Sequence, residues 1–122
     1  MHLYKMYICT MYNKELTKGT LQPIILKLIS EHDRMYGYEI TQEVKTLTLG
    51  KIDISEGALY PILHKLEARG ILETDKVYIG KRVRKYYKVT KEGKKAVEEI
   101  TNELNSFVET LNLIFKPKPA IS

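Results

Sequence analysis

Residues 76–95 hold nine basic side chains (Lys76, Lys81, Arg82, Arg84, Lys85, Lys88, Lys91, Lys94 and Lys95) against a single acid, Glu92. That stretch carries +8, so with a net charge of +5 over 122 residues the rest of the chain stands at −3. A cationic patch on a slightly acidic body suits phosphate neutralisation, in which each released counterion adds to affinity and to salt sensitivity. Just upstream lies a second group of chemically useful residues. Ser55, Tyr60, His64 and Lys65 offer hydrogen-bonding groups, and Gly57 and Ala58 are narrow enough for close backbone approach, a mixture suited to base edges.

Other chemistries find little support in the residues. The one cysteine, Cys9, has no partner for an internal disulfide, and His2, His32 and His64 are scattered without zinc spacing. Neither a metal nor another cofactor is expected. There is no glycine-rich phosphate loop, and Cys9 or His64 would have to act without an identifiable partner, so an enzyme is not expected either. Charged residues interrupt every apolar run well short of the roughly 20 residues a membrane span needs. The tyrosine-rich start lacks a basic leader and a small-residue cleavage site, which leads us to expect a soluble, cytoplasmic protein with no membrane partner.

The elements that position these groups follow from periodicity. Leu21, Ile24, Ile25, Leu28 and Ile29 recur at helical spacing, with Thr20 as the expected N-cap and Pro23 in the tolerant first turn; this helix should stop near Glu31. A second helix is expected from Tyr36 to about Leu47, ending before Gly50, with Ile40, Val44 and Leu47 on one face. Ser55 should cap a third, ending at Gly70, whose inward stripe is Leu59, Ile62, Leu63 and Leu66. Gly57, Pro61, His64 and Ala68 occupy its other side, and Pro61 should bend or loosen it.

A hairpin should follow, residues 71–79 and 84–89 joined through Gly80-Lys81-Arg82-Val83, with Tyr87 and Val89 on one face and Arg84, Tyr86 and Lys88 on the other. Thr90 then caps a long last helix in which Val97, Ile100, Leu104, Phe107, Leu111 and Ile114 form a seam like that of a coiled coil. The tail Lys116-Pro117-Lys118-Pro119 forbids further helix. We therefore expect a mainly α fold with a small β-hairpin wing: a winged helix-turn-helix plus a long C-terminal dimerisation helix. Residues 1–13 would be an N-terminal extension, 14–90 the DNA-binding domain, 91–115 the dimerisation helix and 116–122 a flexible tail.

Four blocks then resemble one family in order and spacing. They are Lys18-Gly19-Thr20-Leu21; Tyr36-Gly37-Tyr38-Glu39-Ile40; Ser55-Glu56-Gly57-Ala58-Leu59-Tyr60-Pro61-Ile62-Leu63-His64-Lys65-Leu66-Glu67-Ala68-Arg69-Gly70; and Arg84-Lys85-Tyr86-Tyr87-Lys88-Val89-Thr90-Lys91-Glu92-Gly93. Together, over roughly residues 14 to 115, they are similar to PadR-type transcriptional regulators, and the single C-terminal helix resembles the short subfamily of homodimeric repressors, some of which sense small hydrophobic molecules. The resemblance implies that Tyr38, Ser55, Gly57, Tyr60 and Lys65 lie at or near double-stranded DNA, with Lys81, Arg82, Arg84 and Lys85 on its backbone. Tyr38 and Tyr60 equally suit packing between the second and third helices, while Glu67 and Arg69 are assigned to solvent or local pairing. Val83 stands where family wings commonly have proline, which would leave the tip more mobile. Residues before Asn13 exceed the usual start: either an arm against a partner subunit or an early start, with Met6 and Met11 as alternatives.

The terminal helix offers more apolar side chains than a small winged domain covers, so a homodimer is expected, with Val97, Ile100, Leu104, Phe107, Leu111 and Ile114 meeting a second copy beside Leu21 and Ile25 of the first helices. Folding the seam onto its own chain is the plainer alternative. Two copies would read a pseudopalindrome about one helical turn apart. Phe107 and Phe115 could line a cavity for a flat apolar effector whose binding changes the helix packing and relieves repression. The rival from another class is a winged helix whose basic face binds an acidic protein.

Overall fold

The computed structural model describes residues 11–116. Cys9, His2 and most of the two expected terminal segments lie outside the described residues. Asn13 starts the fold by accepting the Glu15 N–H at 2.8 Å, capping α1 (Lys14–Thr17), which passes through a 3₁₀ turn (Lys18–Thr20) into α2 (Leu21–Ser30). Thr20 holds the N-cap position of α2 as expected, but its side chain makes no capping bond there. Its backbone is already helical, and its hydroxyl donates back to the Thr17 carbonyl at 2.7 Å. Leu26 is buried along with Ile25, Leu28 and Ile29, which makes α2 the central helix, apolar around most of its circumference.

β1 (Met35–Tyr36) leads directly into α3 (Gly37–Leu47), whose first turn is tied by the Glu39 carboxylate accepting the Tyr36 N–H at 3.1 Å. Ile40 and Val44 enter the core, but Leu47 is 64% exposed. It lies in the last turn, on the rim of an open groove between α2, α3 and the last helix, and not under them. At the end of this helix the Gly50 N–H bonds to the Lys45 carbonyl and the Leu49 N–H to the Thr46 carbonyl, a Schellman pattern with Leu49 at φ 55°.

α4 (Glu56–Ala68) is capped as expected, the Ser55 hydroxyl accepting the Ala58 N–H at 3.2 Å. Leu59, Leu63 and Leu66 are fully buried and Ile62 half-buried. The helix assignment continues through Pro61. Gly70, at φ 78°, ends it with the same Schellman bonds, Ile71 N–H to Leu66 and Gly70 N–H to Glu67.

β2 (Leu72–Ile79) and β3 (Arg82–Val89) form the wing, and the connection is shorter than expected. Ile79 pairs with Arg82 and Tyr78 with Val83, leaving only Gly80 and Lys81 in the turn. Positive φ falls on Gly80 alone of the two, the signature of a type II′ turn, whose twist matches that of the strands. Val83 is thus a ladder residue, not a loop residue. β1 adds a third strand, giving the antiparallel order β1-β3-β2, with Tyr87 fully buried.

Thr90 joins wing and last helix. Its hydroxyl donates to the Gly70 carbonyl at 2.7 Å and accepts the Gly93 N–H at 2.8 Å where α5 (Gly93–Phe115) begins. Val97 enters the core and Ile100 and Leu104 are half-buried on α2, but beyond them the chain provides little cover: Phe107 is 54% and Ile114 69% exposed, with Leu111 half-buried. The fold is the winged helix with a long C-terminal helix that its periodicity predicts.

Candidate nucleic-acid interface

Burying Leu59, Leu63 and Leu66 fixes which face of α4 meets solvent. Gly57, Pro61, His64, Lys65 and Ala68 are exposed, Ala58 is half-buried, and Ser55 is exposed with its hydroxyl proton still available. The two tyrosines separate here. Tyr38, in the first turn of α3, is 61% exposed and packs between no helices. Tyr60 is half-buried with its ring against Gly37, so its packing role is real, and its ring centre lies 6.2 Å from that of His64.

Between this face and the wing runs a cleft of about 470 Å³. Tyr36, Gly37, Tyr60 and His64 line one wall; Ile79, Arg82, Val83, Arg84, Lys85 and Tyr87 line the other. The wing cations are not equivalent. Arg84 stacks over the Tyr36 ring at 4.1 Å, and Arg34 stacks over Tyr86 at 4.4 Å, with Tyr36 and Tyr86 meeting edge to face at 5.3 Å. Asp75 holds both Arg34 and Lys88 at 3.4 Å. Lys85 reaches Glu67 of α4 at 3.6 Å and lies 5.5 Å above the Tyr87 ring. Lys81 and Arg82, exposed at the tip, take part in none of the ion pairs found among the described residues.

Sequence reading missed Arg34, Tyr36, Asp75 and Tyr86 because they meet only through the β1–β3 pairing, and a two-residue strand has no periodicity to detect. It assigned Glu67 to solvent or local pairing, whereas the carboxylate reaches Lys85 and ties α4 to the wing. Two ionisations are shifted. Arg84 is held above the usual arginine value, chiefly through hydrogen bonding with Tyr86, and remains a cation. The Tyr87 hydroxyl is raised by burial, an effect partly offset by Lys85.

Ile25, expected at a subunit interface, is fully buried in the protomer and has nothing to present to a second chain; Leu21 is half-buried. Phe107 and Phe115 do not enclose a pocket within the protomer. They are 54% and 76% exposed on one helix, eight residues and thus about 12 Å apart along its axis. Among the described residues no group of three or more His, Cys, Asp or Glu could hold a metal ion, and no helix is long and apolar enough to cross a membrane.

The model of the transcriptional regulator PadR-like family matches residues 25–99. The chain belongs to the PadR-like family of transcriptional regulators. An uncharacterised protein of Lysinibacillus sphaericus is 37% identical over 109 residues, 87% of this chain and 97% of the relative. The transcriptional regulator Rv3488 of Mycobacterium tuberculosis is 31% identical over 86 residues, 70% of this chain and 77% of its own. A PadR-like transcription factor of Bacteroides fragilis superposes with a TM-score of 0.67 at 30% identity, covering 82% of this chain and 94% of that one. In this PadR-family regulator the matched segment holds α4, the wing and the cleft between them.

Proposed function

We propose that this regulator is a homodimeric repressor, acting in the cytoplasm, that binds a pseudopalindromic double-stranded DNA operator through the exposed face of α4 and the basic wing. The observation that carries this reading is the shared cleft: the polar face of α4 and the cations of the wing open onto one side of the domain. A helix of 13 residues, about 20 Å long, fits a major groove about 12 Å wide. Gly57 and Ala58 allow its backbone close to the base edges, and Ser55, His64 and Lys65 supply donors there. Lys81 and Arg82 join no ion pair among the described residues and are the readiest phosphate ligands, whereas Lys85 must exchange Glu67 for a phosphate. Tyr38 offers a hydroxyl from the first turn of α3.

The dimer follows from α5. Its C-terminal half exposes Phe107, Val108, Leu113, Ile114 and Phe115, an apolar surface that a second copy would remove from water. A small hydrophobic effector that alters the packing of two such helices would change the spacing of the α4 pair. About 1.4 kcal/mol of differential binding then suffices for a tenfold loss of operator affinity.

Footprinting the full chain on the DNA upstream of its own coding region, with random duplex as competitor, tests the reading. A discrete two-fold protected site is expected. Salt-sensitive binding with no site preference, or binding to an acidic protein alone, would overturn it.

A further inference from the structure

We propose that Glu67 restrains DNA binding from inside the protein: its carboxylate occupies Lys85, so that one cation of the cleft is only partly available to a phosphate. Every duplex is then held less tightly than the charge of the wing allows. The inference rests on the DNA-binding reading above and adds to it a residue that opposes the contact. Lys85 lines the cleft between α4 and the wing, and Glu67 stands on α4 one turn beyond His64. Glu67 Oε1 lies 3.6 Å from Lys85 Nζ on β3, while Oε2 accepts the Thr74 hydroxyl of β2 at 3.5 Å. One carboxylate is thus held by both strands of the hairpin.

The helix itself gives no reason for an acid at this point. Glu67 falls in the last turn of α4, where the exposed carbonyls repel a negative charge. The hairpin supplies the reason. Lys76 and Lys85 are ladder partners, so two ammonium groups stand directly opposite each other on the face that meets α4, a destabilising arrangement. Glu67 offsets that repulsion. Lys76 is exposed and joins no ion pair among the described residues, so Lys85 is the cation that the acid takes.

What steadies the fold here competes with nucleic acid. A phosphate diester and a carboxylate are both anionic oxygen acceptors for an ammonium group, so a phosphate entering the cleft must displace Glu67 or share Lys85 with it. A displaced carboxylate is left at the carbonyl end of α4 facing the phosphates, and a shared lysine neutralises less than one phosphate charge. Both routes lower the affinity for any sequence, because neither involves a base edge. The size is modest: the two side chains are 38% and 36% exposed, so water and salt weaken the pair.

Anisotropy titrations of the full chain on the footprinted duplex and on a random duplex, between about 50 and 200 mM salt, decide the matter, with thermal melting as the check on folding. Glu67→Gln should bind both duplexes about threefold more tightly at the low-salt end, and its salt slope should steepen by up to about one. Its melting temperature should fall slightly, a change in stability opposite in sign to the change in affinity. In a chain carrying Lys85→Gln the same substitution should leave affinity unaltered; a gain that persists there comes from net charge alone and would overturn the proposal. Glu67→Asp, which keeps the charge and draws it back by one methylene, gives a second reading independent of how Glu67→Gln folds and should show a smaller gain of the same sign. Unchanged or weaker binding by a folded Glu67→Gln would reduce the carboxylate to a strut between α4 and the wing and leave the DNA reading intact. No duplex bound by the unaltered chain would remove both.

Discussion

Gly37, the first residue of α3, lies against the phenol of Tyr60 on α4, so closely that a Cβ at position 37 would stand inside contact distance of the hydroxyl and ring. The contact sets how near the two helices of the helix-turn-helix approach. Gly37→Ala should lower stability by about 1–3 kcal/mol, the usual consequence of overpacking. Because the nearest atom is the hydroxyl, Tyr60→Phe should relieve part of that loss, and chemical denaturation of the double variant measures the coupling.

Thr90 makes the connection between the end of α4, the wing and α5 with one buried hydroxyl. Thr90→Val keeps the shape but leaves the Gly70 carbonyl and the Gly93 N–H short of that partner. A loss of about 1–3 kcal/mol is expected, with Thr90→Ser retaining most of the stability. Urea melts of the two variants would check the difference.

The two helix ends closed by the same hydrogen-bond pattern differ in one residue. α4 has Gly70 in the left-handed conformation, whereas α3 has Leu49 there, 75% exposed at φ 55°. Its side chain gains little from packing and meets the Cβ penalty of that region. Leu49→Gly should therefore stabilise the protein by about 0.5–1 kcal/mol, visible as a raised melting temperature.

Burial lifts the Tyr87 hydroxyl above the ordinary tyrosine value of 10.0, Lys85 offsetting part of the effect. The folded state then holds this proton more tightly than the unfolded chain does. Its contribution is fully present below the unfolded value and is lost as pH rises through the raised one. Tyr87→Phe should flatten the alkaline decline in stability as pH rises past the ordinary tyrosine value of 10.0, measured by denaturant melts at successive pH.

If α5 pairs two copies, charge on its uncovered half should separate them without unfolding the domain, since Leu111 and Ile114 lie beyond the core. Leu111→Asp combined with Ile114→Asp should give a folded monomer in sedimentation velocity, with operator affinity reduced by more than about a hundredfold through loss of the second half-site. A dimer that survives both changes would move the interface elsewhere.

Much of the architecture was legible because it is periodic. The Leu59, Leu63 and Leu66 stripe, the Ser55 cap, the Gly70 stop and the sharing of one strand face by Tyr87 and Val89 are all local consequences of residue type and spacing. So is the concentration of cations on the wing, and so is the family resemblance carried by four ordered blocks.

What periodicity leaves open is which neighbour covers an apolar face. Ile25 and Ile100 look alike in the sequence, yet α2 is enclosed on most sides, so Ile25 vanishes into the core while Ile100 sits only half-covered. Leu47 continues the stripe of Ile40 and Val44 and is still 64% exposed, because no element among the described residues covers the last turn of α3. The pairing of Met35 and Tyr36 with β3 decides that Arg84 lies on Tyr36 instead of projecting freely, and the Tyr78–Val83 register decides where the wing ends. These relationships join residues far apart in the chain. They are set when helices and strands compete for a shared interior, a competition that no local pattern records.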